Sequence, residues 1–184
     1  NKTCIQKISL MEMIPFNKPY TTGQEIVNIS KAIELGKLAG DGVFTFAVQR
    51  FMEERYGFNK TLLTTSCTDA LEMSAILSGV DCDSEVIMPS YTFVSTANAF
   101  ILRGAKIVFA DSEQLSPNLD VNHLESLITP NTKAIVVMHY AGIACDMDPI
   151  ITLAKKYNLS IIEDAAQAID GYYKGKPLGS IGDL

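Results

Sequence analysis

Four short polar clusters carry the residue types that could do chemistry: Ser66-Cys67-Thr68-Asp69, Pro89-Ser90-Tyr91-Thr92-Phe93, His139-Tyr140-Ala141-Gly142 and Glu163-Asp164-Ala165-Ala166-Gln167. The first places hydroxyls and a carboxylate where a helix is expected to begin. Such a turn can hold a phosphate, because unpaired first-turn amides and the helix dipole favour an anion. The same residue types are good helix caps, and taken alone the stretch reads first as an ordinary cap. Asp164 ends an apolar strand, where a buried carboxylate requires a cationic or hydrogen-bonding partner. The three arginines, Arg50, Arg55 and Arg103, are all distant from it in sequence. This favours a ligand as the partner, for example one with a protonated ring nitrogen. Glu163 falls on the other side of the strand and reads as structural. Phe93 could stack on a planar ligand, although an aromatic at a helix start is more often core. His139, a lone histidine at a strand end, reads as a satisfied structural residue.

Several other chemistries are excluded. No G-x-G-x-x-G or G-x-x-x-x-G-K-[ST] occurs. Cys4, Cys67, Cys82 and Cys145 form no C-x-x-C pair, and His123 and His139 complete no metal-ligand spacing, so no metal is expected. A net charge of −6 argues against a broad grip on nucleic acid or an anionic membrane. No apolar run approaches the ~20 residues that cross a bilayer. Asn1 to Glu12 lack the pattern of a secretory signal, so a reducing, cytoplasmic setting is expected. With 47% hydrophobic residues, 12 glycines and 7 prolines in 184, the chain reads as a folded domain rather than a disordered or fibrous one.

The elements that must position these clusters alternate along the chain. Helices are expected over 24–35, with Ile26, Ile29 and Ile33 on one face, and over 44–56, joined by a loop with three glycines (36–42). Strands follow at 61–65, 85–88, 106–110, 133–138 and 160–162. Between them lie helices over 70–77 and 93–102, one capped by Asp120 and running to Leu127, and one opened by Asp148-Pro149 and ending at Tyr157. Short buried strands separated by helices predict an α/β fold, a mostly parallel sheet sandwiched by helices. Ligands bind such sheets outside the carboxyl ends of the strands, so the four clusters are expected to outline one pocket.

The ordered set Gly-Asp-Gly-Val-Phe-Thr (40–45), Ser-Cys-Thr-Asp-Ala-Leu (66–71), the run from Glu85 to Ala99, His-Tyr-Ala-Gly (139–142) and Glu-Asp-Ala-Ala-Gln (163–167) resembles the DegT/StrS family of sugar-nucleotide aminotransferases. The likeness runs from Met13-Ile14-Pro15-Phe16 to Leu184. It implies a fold-type I enzyme dependent on pyridoxal 5′-phosphate (PLP). By this resemblance Cys67, Thr68 and Asp69 match the turn that holds the cofactor phosphate, and Phe93 the aromatic that stacks on the ring. Asp164 matches the catalytic carboxylate that pairs with the pyridinium nitrogen, and Gln167 the residue near the ring oxygen. The implied reaction converts a nucleotide-linked 4-keto-6-deoxy sugar to its 4-amino sugar with glutamate as amino donor, for surface polysaccharide synthesis, in a homodimer.

One departure stands out. The family carries its Schiff-base lysine in a Ser-Phe-His-x-x-Lys segment beyond Gly-Ser-Ile-Gly-Asp, whereas here Gly179 to Asp183 is followed only by Leu184, and Lys174 and Lys176 precede the motif. The expectation is an extension over 1–12 and, over 13–184, the N-terminal part of a PLP-binding large domain. The lysine segment and the small C-terminal domain are absent from it. Such a polypeptide is expected to be inactive alone and poorly soluble. Two alternatives stay open: a non-catalytic paralogue, and a sugar dehydratase in which histidine replaces the lysine.

Overall fold

A computed structural model describes Ile14, Pro15 and residues 17–184. The extension expected over 1–12 lies outside the described residues. The chain divides into two compact units, one ending at Phe46 and the other beginning at Ala47.

In the first unit, helix α1 (Glu25–Glu34) starts from a local clasp. The Thr22 N–H and hydroxyl donate to Glu25 Oε1 at 2.8 and 2.9 Å, and the Gly23 N–H donates to Oε2 at 2.9 Å. These bonds supply partners for the carboxylate at a helix N-terminus and hold its pKa down to about 2. The expected apolar stripe exists, but Ile26, Ile29 and Ile33 are exposed. Helix α2 (Val43–Tyr56) begins in this unit.

The second unit is built on a four-stranded sheet of β1 (Glu85–Pro89), β2 (Lys106–Ala110), β3 (Thr132–Met138) and β4 (Ser160–Asp164). Its order is β2-β1-β3-β4, and every pairing is parallel. Helices α3 (Cys67–Leu77) and α4 (Val94–Ile101) pack on one face. Helix α5 (Met147–Tyr157) packs on the other, with a 3₁₀ turn at Leu124–Leu127. Strands β1, β3 and β4 are largely buried on both sides, with their side chains alternating, while β2 is a partly exposed edge. Val86, Met88, Ala134, Val136 and Ile162 join Leu71, Ala75 and Phe100. Ile87, Ile135, Val137 and Ile161 join Leu124, Met147 and Ile150. This is the period-2 geometry of a strand in a two-faced core.

Two expected elements differ. Residues 61–65 pair with no strand among the described residues; the Thr61 N–H donates to Glu53 Oε1 at 2.9 Å instead. Extended backbone becomes a strand only with a ladder partner. Along the outer edge of β4, Glu163 N–H donates to the Leu184 carbonyl (2.9 Å) and Asp183 N–H to that of Ile161 (2.8 Å). Asp120 caps no helix. Its carboxylate accepts from the Asn122 N–H and side-chain amide at 2.9 and 2.8 Å, an Asx-type turn that delays the helical residues to Leu124. A two-stranded hairpin, β5 (Tyr172–Tyr173) and β6 (Lys176–Pro177), was not foreseen. Lys174 and Gly175 both have positive φ in its two-residue turn.

The end of β4 carries the heaviest polar load. Glu163 points to the α5 face, where its carboxylate accepts from His139 Nε2 (2.8 Å) and from the backbone amides of Gly179, Ile181 and Gly182. His139 is fully buried, and its Nδ1 accepts from the Cys145 N–H at 3.2 Å, so Nε2 carries the proton. Gly182 is required here, since a Cβ would lie 2.8 Å from the Ile161 carbonyl oxygen. Burial alone would raise the Glu163 pKa, but the bonds from His139 and the three amides outweigh it and lower it below the ordinary 4.5.

Replacing Glu163 by Ala leaves these donors unpaired and should cost about 3 kcal/mol or more in urea unfolding. The folded pKa is depressed, so this carboxylate's contribution is complete above pH 4.5 and drains away as pH falls through the lower folded value. Glu163→Gln should remove that part of the acid dependence. Equal acid profiles for the two proteins would contradict it.

Candidate functional site

Strand β1 lies between β2 and β3, so the chain leaves β1 to one side and later returns to the other. Such a switch point opens a crevice outside the carboxyl ends of the diverging strands. A cleft of about 340 Å³ lies there, lined by Ser90, Tyr91, Thr92, Phe93, Met138, Tyr140 and Gln167. Three of the four sequence clusters meet in it. The fourth is joined through Asp164.

Asp164 shares its strand face with Ile162, two residues earlier, and is only 4% exposed. Its Oδ2 accepts from the buried Thr96 hydroxyl at 2.7 Å. Its Oδ1 has longer contacts, with the Ala166 N–H at 3.3 Å and the Cys67 thiol at 3.7 Å. No lysine, arginine or histidine among the described residues pairs with it. The carboxylate is therefore held by neutral donors alone and lacks a counter-charge.

At the start of α3 the capping work falls to Ser66, which is extended and whose hydroxyl oxygen accepts from the Asp69 N–H at 3.2 Å. The Asp69 carboxylate turns back to the Thr65 hydroxyl, which with the Ser66 bonds keeps its pKa low. Cys67 and Thr68 N–H, at the first two helical positions, make no hydrogen bond within the described residues. The turn is thus a cap and, at the same time, an anion-competent helix end. The Cys67 residue is exposed, but its thiol leans on the cleft's carboxylate. Burial of the sulfur and the charge of Asp164 push its pKa up to about 11.

Phe93 is not core. It sits at the extended position before α4 with 68% exposure and lines the cleft. Gln167 Oε1 accepts from the Ala141 N–H at 2.8 Å, so its amide nitrogen keeps its donors. Gly142, at φ +80°, passes 3.2 Å (as measured from a Cβ placed on it) from the Gln167 carbonyl oxygen, a position and approach that exclude a side chain. Tyr91 and Tyr140 meet edge to face, with centroids 4.9 Å apart. Contact with Tyr91 raises the Tyr140 pKa. Sequence reasoning overlooked Thr96 and this tyrosine pair. The four-residue spacing of Thr92 and Thr96 at a helix start was the available signal.

The model of the DegT/DnrJ/EryC1/StrS aminotransferase family matches residues 20–184. GDP-perosamine synthase of Caulobacter vibrioides is 36% identical over 165 residues, covering 90% of this chain and 44% of that protein. The spore coat polysaccharide biosynthesis protein SpsC of Bacillus subtilis is 38% identical over 173 residues, 92% of this chain and 43% of that protein. The aminotransferase from Psychrobacter cryohalolentis superposes with a TM-score of 0.86 at 31% identity, over 91% of this chain and 43% of that one. Spr1654 from Streptococcus pneumoniae, in its PLP-form, gives 0.83 at 30% identity, over 92% and 47%. The chain spans less than half the length of these curated relatives. By sequence and by fold, it belongs to the DegT/DnrJ/EryC1/StrS aminotransferase family.

Proposed function

We propose that the crevice binds PLP for transfer of an amino group to a nucleotide-linked 4-keto-6-deoxy sugar. The observation that carries this reading is Asp164, a buried carboxylate at the switch point with neutral donors and no counter-charge. A protonated ring nitrogen supplies that charge. The other groups suit the rest of such a cofactor. Phe93 offers an exposed aromatic face, the amides of Cys67 and Thr68 with the turn closed by Asp69 suit a phosphate, and Gln167 offers amide donors to a ring oxygen.

When bound, PLP supplies an electron sink for the pair left behind as a Cα proton departs. Asp164 contributes by keeping the ring nitrogen protonated. Phe93 restricts the ring to one plane, and the α3 turn anchors the phosphate through backbone donors that cannot titrate. The two lysines nearest the Gly179–Asp183 turn lie in the β5–β6 hairpin, with Lys174 paired to Asp148, and we assign neither a covalent role. Among the described residues the cofactor would be held by these noncovalent contacts.

The finer resemblance, to transaminases that make dTDP-4-amino-4,6-dideoxygalactose for enterobacterial common antigen, supplies the sugar, with glutamate as donor. The polysaccharide and perosamine relatives support the same substrate class. A homodimer is supported by the apolar residues left exposed on α3 (Met73, Ile76, Leu77) and α4 (Val94, Ile101, Leu102). No helix among the described residues is long and apolar enough to cross a membrane.

PLP titrated into the protein should bind saturably, as read by quenching of tyrosine fluorescence and by equilibrium dialysis. Asp164→Asn should weaken binding at least tenfold. Undiminished binding by Asp164→Asn would remove the carrying observation. The thiol gives a separate check. With a pKa of about 11 against an ordinary 9.0, Cys67 holds about 100-fold less thiolate at pH 8 than a normal cysteine. Iodoacetamide labelling, followed residue by residue by mass spectrometry, should keep accelerating to about pH 11. It should be faster in Asp164→Asn, and a plateau by pH 9 would refute the contact.

A further inference from the structure

Resting on the PLP reading above, we propose that Thr96 is a positioning residue. Its hydroxyl commits Oδ2 of Asp164 and thereby reserves Oδ1 for the cofactor's ring nitrogen, with Thr92 fixing the direction of the Thr96 proton. Thr96 is fully buried in α4, and its Oγ1 stands 2.7 Å from Asp164 Oδ2. An ionised carboxylate only accepts, so Thr96 spends its single hydroxyl proton there. Thr92 Oγ1 lies 2.9 Å from Thr96 Oγ1, and with the Thr96 proton already used, Thr92 must be the donor between them. The chain of donation runs from Thr92 to Thr96 to Asp164. Every step is set by the acceptor at its end.

The consequence for the carboxylate is an asymmetry. Oδ2 receives a short bond from a buried donor, whereas Oδ1 receives only the Ala166 amide at 3.3 Å and a weak thiol contact at 3.7 Å. Oδ1 keeps acceptor capacity, and the short bond stops the carboxylate from rotating it away. The Thr96 bond also fixes the orientation of the Asp164 carboxylate. Without it the carboxylate can turn Oδ1 out of line with the ring nitrogen and loosen that charge-assisted bond. Thr96 has a second tie, because its N–H donates to the Phe93 carbonyl at 3.0 Å. One residue therefore couples the carboxylate at the ring's edge to the aromatic on the ring's face. Thr92 half-faces the cleft with its proton turned inward, so it meets a ligand as an acceptor.

The test is ¹⁵N NMR of PLP labelled at the ring nitrogen, bound to the wild-type protein and to Thr96→Val, Thr96→Ser, Thr92→Val and Asp164→Asn, with dissociation constants by dialysis. Thr96→Val should move the resonance toward neutral pyridine and weaken binding about tenfold, the scale of a bond to a charged group. Thr96→Ser keeps the hydroxyl and should restore both. Thr92→Val should shift the resonance the same way by a smaller amount, and it decides the matter if Thr96→Val does not fold. Wild-type resonances in Thr96→Val and Thr92→Val, with Asp164→Asn shifted, would overturn the role of Thr96 while leaving the PLP site standing. Absence of PLP binding by the wild-type protein would overturn both.

Discussion

Two consecutive carboxylates end the same strand on opposite faces of one sheet, and the arrangement around the crevice depends on that alternation. Residues 161–164 follow the pleat, so Ile161 and Glu163 look toward α5 while Ile162 and Asp164 look toward α3 and α4. A one-residue slip would exchange them, placing the uncompensated carboxylate among the glycine amides and the structural one in the crevice. The pairing of β4 with β3, Met138 opposite Asp164 and Val137 opposite Glu163, holds the register.

The two acids then do opposite things with the same chemistry. Glu163 is saturated: an imidazole and three backbone amides converge on it, and they pin the 179–182 turn and His139 into fixed places. His139 in turn precedes Tyr140, Ala141 and Gly142, which form one wall of the crevice together with Gln167. The structural carboxylate thus shapes the wall, and the unsaturated one provides the charge. The protein's net negative charge does not oppose a phosphate nearby, because helix-end amides act within a few ångströms while distributed surface charge is screened over about 10 Å.

Legibility from sequence followed locality. The strands over 106–110 and 133–138, helices α1 to α5 and the opposed faces of Glu163 and Asp164 came from apolar patterning, caps and turn residues, which are properties of adjacent residues. The grouping of the four clusters also followed, because strand carboxyl ends in a parallel sheet share one edge. The misjudgements were non-local. Residues 61–65 have strand composition but pair with no ladder among the described residues, a fact about distant segments rather than about these five residues. Phe93 was weighed as core because burial statistics favour it, yet the neighbouring strand ends leave it open. Thr96 was passed over because a threonine inside a helix is unremarkable until a carboxylate 68 residues away is placed against it.

Holding a charge with neutral donors differs in kind from holding it with a cation. A lysine or arginine beside Asp164 would complete its electrostatics and leave nothing for a ligand to supply. Hydroxyl, amide and thiol donors lower the cost of burying the charge without cancelling it, so the carboxylate is tolerated in the folded protein yet still attracts a cationic ring edge. The thiol of Cys67 shows the same field from the other side: burial raises its pKa, and the negative charge of Asp164 raises it further. A guanidinium in the place of Thr96 would abolish both effects. The uncharged character of this donor set is therefore what leaves a buried carboxylate able to bind.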